Sequence, residues 1–352
     1  MIVRMVDTVS QRQIGHHEVG TFRVGPIGYG LMRLTWSPVE VPDEISFQLI
    51  LRSLESGSNF LNSGEFYGNP PDRLTSNLEL LDRFFQKYPD WEKDGRLFLS
   101  VKGGIPFVNG QMTKPDGSEH FLRRSVDNIN QKLGGRRKMD LFQMARVDKD
   151  IPIEEVIKTL KTLIKEGKFK HIGLSEVSAD TIRRAHAVHP ISAVEMEYSP
   201  WALGIEQNGV LSTCEELGIP IVAYSPLGCG MLTGKFKSPD DLPEGDMRRH
   251  FDRFSPENFH HNLKERLTEH IQSIAKRIGL TAAQVCLSWI LSQSKIIIPI
   301  PGSTRLEGID ECLGSSKVKL EDEDLKELRR IIDGAQIKGV RYSANHQDLL
   351  EV

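Results

Sequence analysis

The sequence predicts a single α/β domain, a (β/α)8 barrel of the TIM type, on three observations. Eight short apolar runs alternate with amphipathic stretches along the chain. Most of those runs are apolar throughout, as parallel strands buried on both faces must be. No break in composition divides the chain, and its 352 residues, long for one average domain, suit a barrel with insertions.

The strand-like runs are VGPIGYGLM (24–32), NFLN (59–62), LFLSVK (97–102) and DLFQMAR (140–146), then KHIGLS (170–175), SAVEMEYS (192–199), IPIVAYS (219–225) and KIIIPI (295–300). Helical segments lie between them. SFQLILRSLESG repeats apolar residues at i, i+3 and i+4 and stops at Gly57. DRLTSNLELLDRFFQKY follows the same pattern, as does SEHFLRRSVDNINQKLGG, which ends in Gly134 and Gly135. IPIEEVIKTLKTLIKEGK has Pro152 in its first turn and stops at Gly167, while Ser178 and Thr281 stand as N-caps of two later helices. The segment SQRQIGHHEVGTFR (10–23) reads as a β-hairpin closing the barrel bottom, 24–332 as the barrel, and 333–352 as a C-terminal tail. The widest gap, about 226–280, is rich in Pro, Gly and charge, and reads as a long loop after the seventh strand, over the catalytic face.

Composition narrows the function classes. Forty-five Lys and Arg against 48 Asp and Glu give a formal charge of −3, so no whole-chain electrostatic case exists for nucleic acid or a membrane surface. The four cysteines, Cys214, Cys229, Cys286 and Cys312, form no C-x-x-C pair, and a reducing compartment is the natural reading. No apolar leader, spanning run or lipidation box is visible, which makes the cytoplasm the expected location. His16 and His17 read as a solvated turn, not a metal site.

Barrel active sites lie at the C-terminal ends of the strands. The polar residues there are Asn62, Lys102, Arg146, Ser175, Glu195 with Tyr198, Tyr224, and the turn Pro301-Gly302-Ser303; Tyr67 follows in a turn bounded by Gly64 and Gly68. Lys102 closes an apolar strand, so its charge needs a partner or a route to water. Two readings stand on spacing alone. Lys102 snorkels to solvent and Tyr67 packs a turn, or Lys102 lowers the Tyr67 phenol's pKa and makes it a general acid for a carbonyl oxygen. The glycine stretches GCGMLTGK and GYGLMR match neither a phosphate loop nor a dinucleotide fingerprint. IPGSTR does end the last strand ahead of a helix, where Ser303, Thr304 and Arg305 offer donors to a phosphate.

Taken in order, NFLNSGEFYG, LFLSVKGG, DLFQMARVD, EGKFKHIGLSEVS, VEMEYSPW, IVAYSPLGCGMLTGK and IPIPGSTRLEGIDECLG resemble the motif series of the aldo-keto reductases over roughly residues 20–332. The resemblance implies a barrel that binds NADPH or NADP+ without a Rossmann fold and reduces a carbonyl to an alcohol. It places Tyr67 and Lys102 on two members of an Asp-Tyr-Lys-His tetrad, with Asn62 on the aspartate and Ala145 on the histidine. It implies that no carboxylate orients Lys102 and that Asn62 replaces only hydrogen bonds. Ser175 and Glu195 fall on carboxamide contacts, Tyr224 on the ring that stacks on nicotinamide, and Ser225, Leu227 and Gly230 on a pyrophosphate strap. Ser303, Thr304 and Arg305 fall on the adenosine-phosphate segment and Glu311 near adenine. The pairing of Asn62-x-x-Glu-Phe-Tyr67 with Gln-x-Ala145-Arg-Val-Asp is similar to the fungal pyridoxal reductase branch, which implies pyridoxal, a small aromatic aldehyde, as substrate. Two other readings follow from the same resemblance: a general aldehyde or ketone reductase, and a nicotinamide-binding regulatory subunit like the potassium-channel β proteins.

Overall fold

The computed structural model describes residues 4–5, 11–39, 41–93, 95–342 and 350. Eight parallel strands form one sheet in chain order: β1 (Tyr29–Gly30), β2 (Phe60–Gly64), β3 (Phe98–Gly103), β4 (Leu141–Met144), β5 (His171–Ser175), β6 (Ile191–Glu197), β7 (Ile221–Tyr224) and β8 (Ile297–Pro299). Two backbone bonds join the outer edges: Gly28 N–H donates to Pro299 O at 3.0 Å and Gly30 N–H to Pro301 O at 3.1 Å. The sheet therefore closes on itself. Gly30 is required at that seam, because a Cβ there would lie 2.9 Å from the Ile300 carbonyl oxygen.

Each strand is followed by a helix on the outside: α1 (Asp43–Glu55), α2 (Ser76–Lys87), α3 (Glu119–Lys132), α4 (Ile153–Lys165), α5 (Ala179–Val188), α6 (Val210–Leu217), α7 (Ala282–Gln293) and α8 (Leu306–Gly314). Ser178 caps α5 through Thr181 N–H, and Thr281 with Gln284 forms a capping box on α7. The run 24–32 does not form one strand: Val24 ends the preceding hairpin and only Tyr29–Gly30 joins the ladder. Pro26 explains the interruption, since it has no N–H to give.

The hairpin pairs Arg12–His16 with Gly20–Val24. Ile14 and Val24 pack on Phe60, Phe98, Leu141, Ala193, Val222 and Ile298, all near the N-terminal ends of their strands, so the hairpin plugs the barrel bottom. At its turn His17 and Glu18 are exposed and His16 half-buried, although the three bring ligand atoms within 4.8 Å of one another.

The long segment after β7 corrects the sequence reading of a plain loop. It contains 3-10 turns at Gly228–Thr233, Pro239–Asp241, Met247–His250 and Asp252–Phe254, then helices at Pro256–Lys264 and Leu267–Ile278. A further small pairing, Arg4–Met5 with Val318–Lys319, also went unpredicted. Among the described residues no single helix is long and apolar enough to cross a membrane.

Candidate active site

Side chains two apart along a strand share a face. Above the apolar bottom layer, that period places Asn62 over Phe60, Ser100 over Phe98, Gln143 over Leu141, Glu195 over Ala193 and Tyr224 over Val222. Lys102 and Ala145 stand one step higher, at the mouth. Apart from half-buried Tyr224, these residues are all buried. A polar layer thus sits on an apolar one inside a closed barrel, and every charge in it needs an internal partner.

Lys102 finds its partner across the barrel. Its Nζ donates to Glu195 Oε1 at 2.7 Å and Oε2 at 2.8 Å, and to Asn62 Oδ1 at 2.6 Å. Asn62 Nδ2 donates to Glu195 Oε2 at 2.7 Å, and Gln143 Nε2 reaches the same oxygen at 2.9 Å. Lys102 does not snorkel: its side chain is 5% exposed. Burial alone disfavours its ammonium, but Glu195 and Tyr67 outweigh burial and hold the amine above the ordinary lysine range. This corrects one sequence expectation: the lysine does have a carboxylate, that of Glu195. Gln143 was not singled out; its place two residues after Leu141 on an apolar strand is the signal that would have found it.

Tyr67 is fixed by its backbone. Its N–H donates to Gly64 O at 3.2 Å, and its carbonyl accepts from Asn77 N–H at 3.2 Å and Thr35 Oγ1 at 2.7 Å. Gly64 has a steric role, because a Cβ there would lie 2.9 Å from the Tyr67 ring. The ring centroid stands 5.2 Å from Lys102 Nζ. Burial pushes the Tyr67 phenol up; Lys102 pulls it down without cancelling that effect, so the expected net lowering is overturned. At neutral pH Tyr67 is a protonated phenol, a donor.

Around Tyr67 lies an apolar cluster of buried Phe66, Ile105 and Ala145, with Trp36 and Phe107 packed against it. The Trp36 and Tyr67 ring centroids are 6.1 Å apart. Opposite, the C-terminal segment enters the mouth, which the sequence reading treated only as a tail. Arg341 NH1 donates to the Tyr224 hydroxyl at 3.0 Å and pairs with Glu176, while its Nε lies 2.6 Å from Glu197 Oε2. The Tyr342 hydroxyl is 3.2 Å from that of Tyr224 and accepts from Arg146 NH2 at 3.3 Å. The basic-aromatic pair Arg341-Tyr342, placed beyond a final helix at Asp322–Gly334, is its sequence signal.

The remaining predicted positions divide by place. Ser175 ends β5, buried. Ser225, Leu227 and Gly230 lie half-buried in the turn after β7, where Ser225 has φ of 50° and Gly230 of 93°. Arg248 NH1 donates to Cys229 O at 2.7 Å and pins that turn, with Arg248 and Arg33 both paired to buried Asp246. Burial pushes the Cys229 thiol up, which makes it a poor nucleophile. Ser303, Thr304 and Arg305 precede α8, whose first turn has no side-chain cap, and Glu311 lies half-buried within that helix. Tyr198 departs from the predicted set: its hydroxyl donates to Glu206 at 2.6 Å and its ring lies 5.7 Å from Trp289 of α7, outside the barrel.

A closed barrel with a buried lysine and a protonated tyrosine beside an apolar cluster at its C-terminal mouth points to an oxidoreductase. The model of the Aldo/keto reductase family matches residues 26–333, and the chain belongs to that family. It is 42% identical over 340 residues to "Probable pyridoxal reductase 2" of Schizosaccharomyces pombe, covering 95% of this chain and 99% of that protein. It is 38% identical, over 92% of this chain and 93% of the other, to the aldo-keto reductase yakc of the same yeast, whose name specifies NADP(+). Among solved structures, the glycerol dehydrogenase AKR11B4 of Gluconobacter oxydans superposes with a TM-score of 0.78 at 21% identity, over 95% of this chain and 98% of that one, and shows the same fold.

Proposed function

We propose that this protein is an NADPH-dependent carbonyl reductase whose substrate is pyridoxal or a close aromatic aldehyde. The observation that carries the reading is the juxtaposition of Tyr67, Lys102 and buried Ala145 beside a cluster of aromatic side chains. The residues present fit a nicotinamide dinucleotide. The uncapped first turn of α8 presents backbone N–H groups beside exposed Thr304 and Arg305, the donor set an anionic phosphate takes. Ser225, Leu227 and Gly230 would hold the pyrophosphate, Tyr224 and Ser175 the nicotinamide end, Glu311 the adenine and Arg305 a 2′-phosphate. Bound there, reduced cofactor supplies a hydride.

The chain's own residues supply the proton. Tyr67 donates it to the carbonyl oxygen, and the phenolate left behind is stabilised by the Lys102 ammonium. Burial excludes water around both groups. The identity of the relative named a pyridoxal reductase supports the substrate class, and the name of the yakc relative supports NADP(H).

The test is a turnover panel. Pyridoxal, benzaldehyde and simple ketones are offered with NADPH and with NADH, following nicotinamide absorbance. Pyridoxal with NADPH should give the highest kcat/KM. Tyr67→Phe should lower kcat by about 10² to 10⁴ while leaving the NADPH Kd within a few-fold. A variant that keeps more than about half of wild-type kcat would remove Tyr67 from the mechanism.

A further inference from the structure

Resting on the reductase reading, we propose that Glu195 is a positioning residue for the reaction: from β6 its carboxylate holds the Lys102 ammonium beside Tyr67 and supplies the negative charge that Asn62, bonded to the same ammonium from the nearer strand β2, cannot. Glu195 and Lys102 are the ionic pair of the buried polar layer, with neutral Asn62 and Gln143 on either side. The charged and titratable groups facing them are Tyr67 and, beyond it, Tyr342.

The hydrogen bonds that Glu195 makes point to this role. A carboxylate offers about four acceptor sites. Glu195 takes four contacts from three donors: Lys102 on both oxygens, and Asn62 and Gln143 on Oε2. Oε2 is thereby saturated, and Oε1 is turned onto the Lys102 ammonium. Removing the carboxylate would leave a buried ammonium facing two neutral amides, the costly half of a broken buried pair. The charge is also exchangeable in place. Asn62 Oδ1 already touches Lys102 Nζ at 2.6 Å, so a carboxylate at position 62 makes the same contact.

The experiment compares Glu195→Gln with the double variant Asn62→Asp/Glu195→Gln, which moves the carboxylate across the barrel at constant charge. Three quantities are read: kcat with pyridoxal and NADPH, the NADPH Kd, and the Lys102 titration midpoint by 13Cε NMR, assigned with Lys102→Met. In Glu195→Gln, kcat should fall by about ten- to a hundredfold, the scale of a hydrogen bond to a charged group. The Kd should hold within a few-fold and the Lys102 midpoint should drop. The double variant should recover most of both losses. An unchanged kcat with weakened NADPH binding would make Glu195 a cofactor contact and overturn the proposal. So would an unmoved Lys102 midpoint, or a folded double variant as impaired as the single. Should Glu195→Gln not fold, the double variant decides: restored activity supports the proposal, and failure to fold overturns it. If the wild-type protein reduces no carbonyl, the functional reading fails, and the NMR midpoint still tests the pairing.

Discussion

Ala145 stands one residue past β4, buried against Tyr67, and gives a substrate carbonyl no hydrogen-bond donor. A substrate with its own donor loses least by this. Pyridoxal carries a phenol beside its aldehyde and can polarise the carbonyl internally, so turnover should follow that phenol. Its O-methyl ether should lose about 10² to 10³ in kcat/KM, the cost of one preorganised donor to a developing oxyanion. Ala145→His should partly restore the ether while crowding pyridoxal. Equal kcat/KM for the two substrates in the wild type would leave Ala145 as mere space. Much of this residue-level chemistry was legible beforehand: a lysine ending an apolar strand and a tyrosine between two glycines both announce a mouth. The partner of Lys102 was not, because it depends on which strands lie across the barrel, and spacing along the chain carries no such information.

The segment after β7 is held to the barrel by an ion cluster. Burial would raise the Asp246 carboxyl, but Arg248 and Arg33 outweigh it and lower it from 3.8 to about 2. The sign follows from linkage. A depressed carboxylate stabilises the fold above its unfolded pKa, and that contribution is lost as pH falls from about 4 toward 2. Asp246→Asn should therefore cost roughly 2 kcal/mol near pH 6, and the gap to wild type in denaturant unfolding should close below pH 4. It should also weaken NADPH binding, since Arg248 fixes the Cys229 carbonyl in the strap-like turn. A gap that persists unchanged to pH 2.5 would assign the effect to packing instead. At this scale the regular βα units were readable from period and caps. The insertion was not: its 3-10 turns rest on local caps such as Ser238 and Asp246, too short for any period to show. Helix Leu267–Ile278 does carry an apolar stripe, Leu267, Ile271, Ile274 and Ile278, but it lies directly behind the Pro- and charge-rich stretch and was read as part of it.

Across the whole molecule the barrel divides stability from chemistry along its axis. The closed sheet was predictable from eight buried runs, and its bottom is sealed by the hairpin, with Ile14 fully buried among Phe60, Phe98 and Ile298. Arg12 ties the same hairpin to β8 through the Ile297 carbonyl at 3.3 Å. One apolar layer separates this plug from the polar layer, since Phe60 and Asn62 are neighbours on one face of β2. Ile14→Ala should therefore remove about 2–5 kcal/mol of unfolding free energy, the range for an isoleucine truncated to a methyl in a core that cannot collapse. Native-state kcat and KM should stay within about twofold, because the cavity opens beneath rigid side chains. Denaturant unfolding measures the first quantity and initial rates below the transition measure the second. If kcat fell in step with stability, the apolar layer would be transmitting the defect to Lys102 and Glu195, and the two ends of the barrel would be one cooperative unit in function as well as in folding.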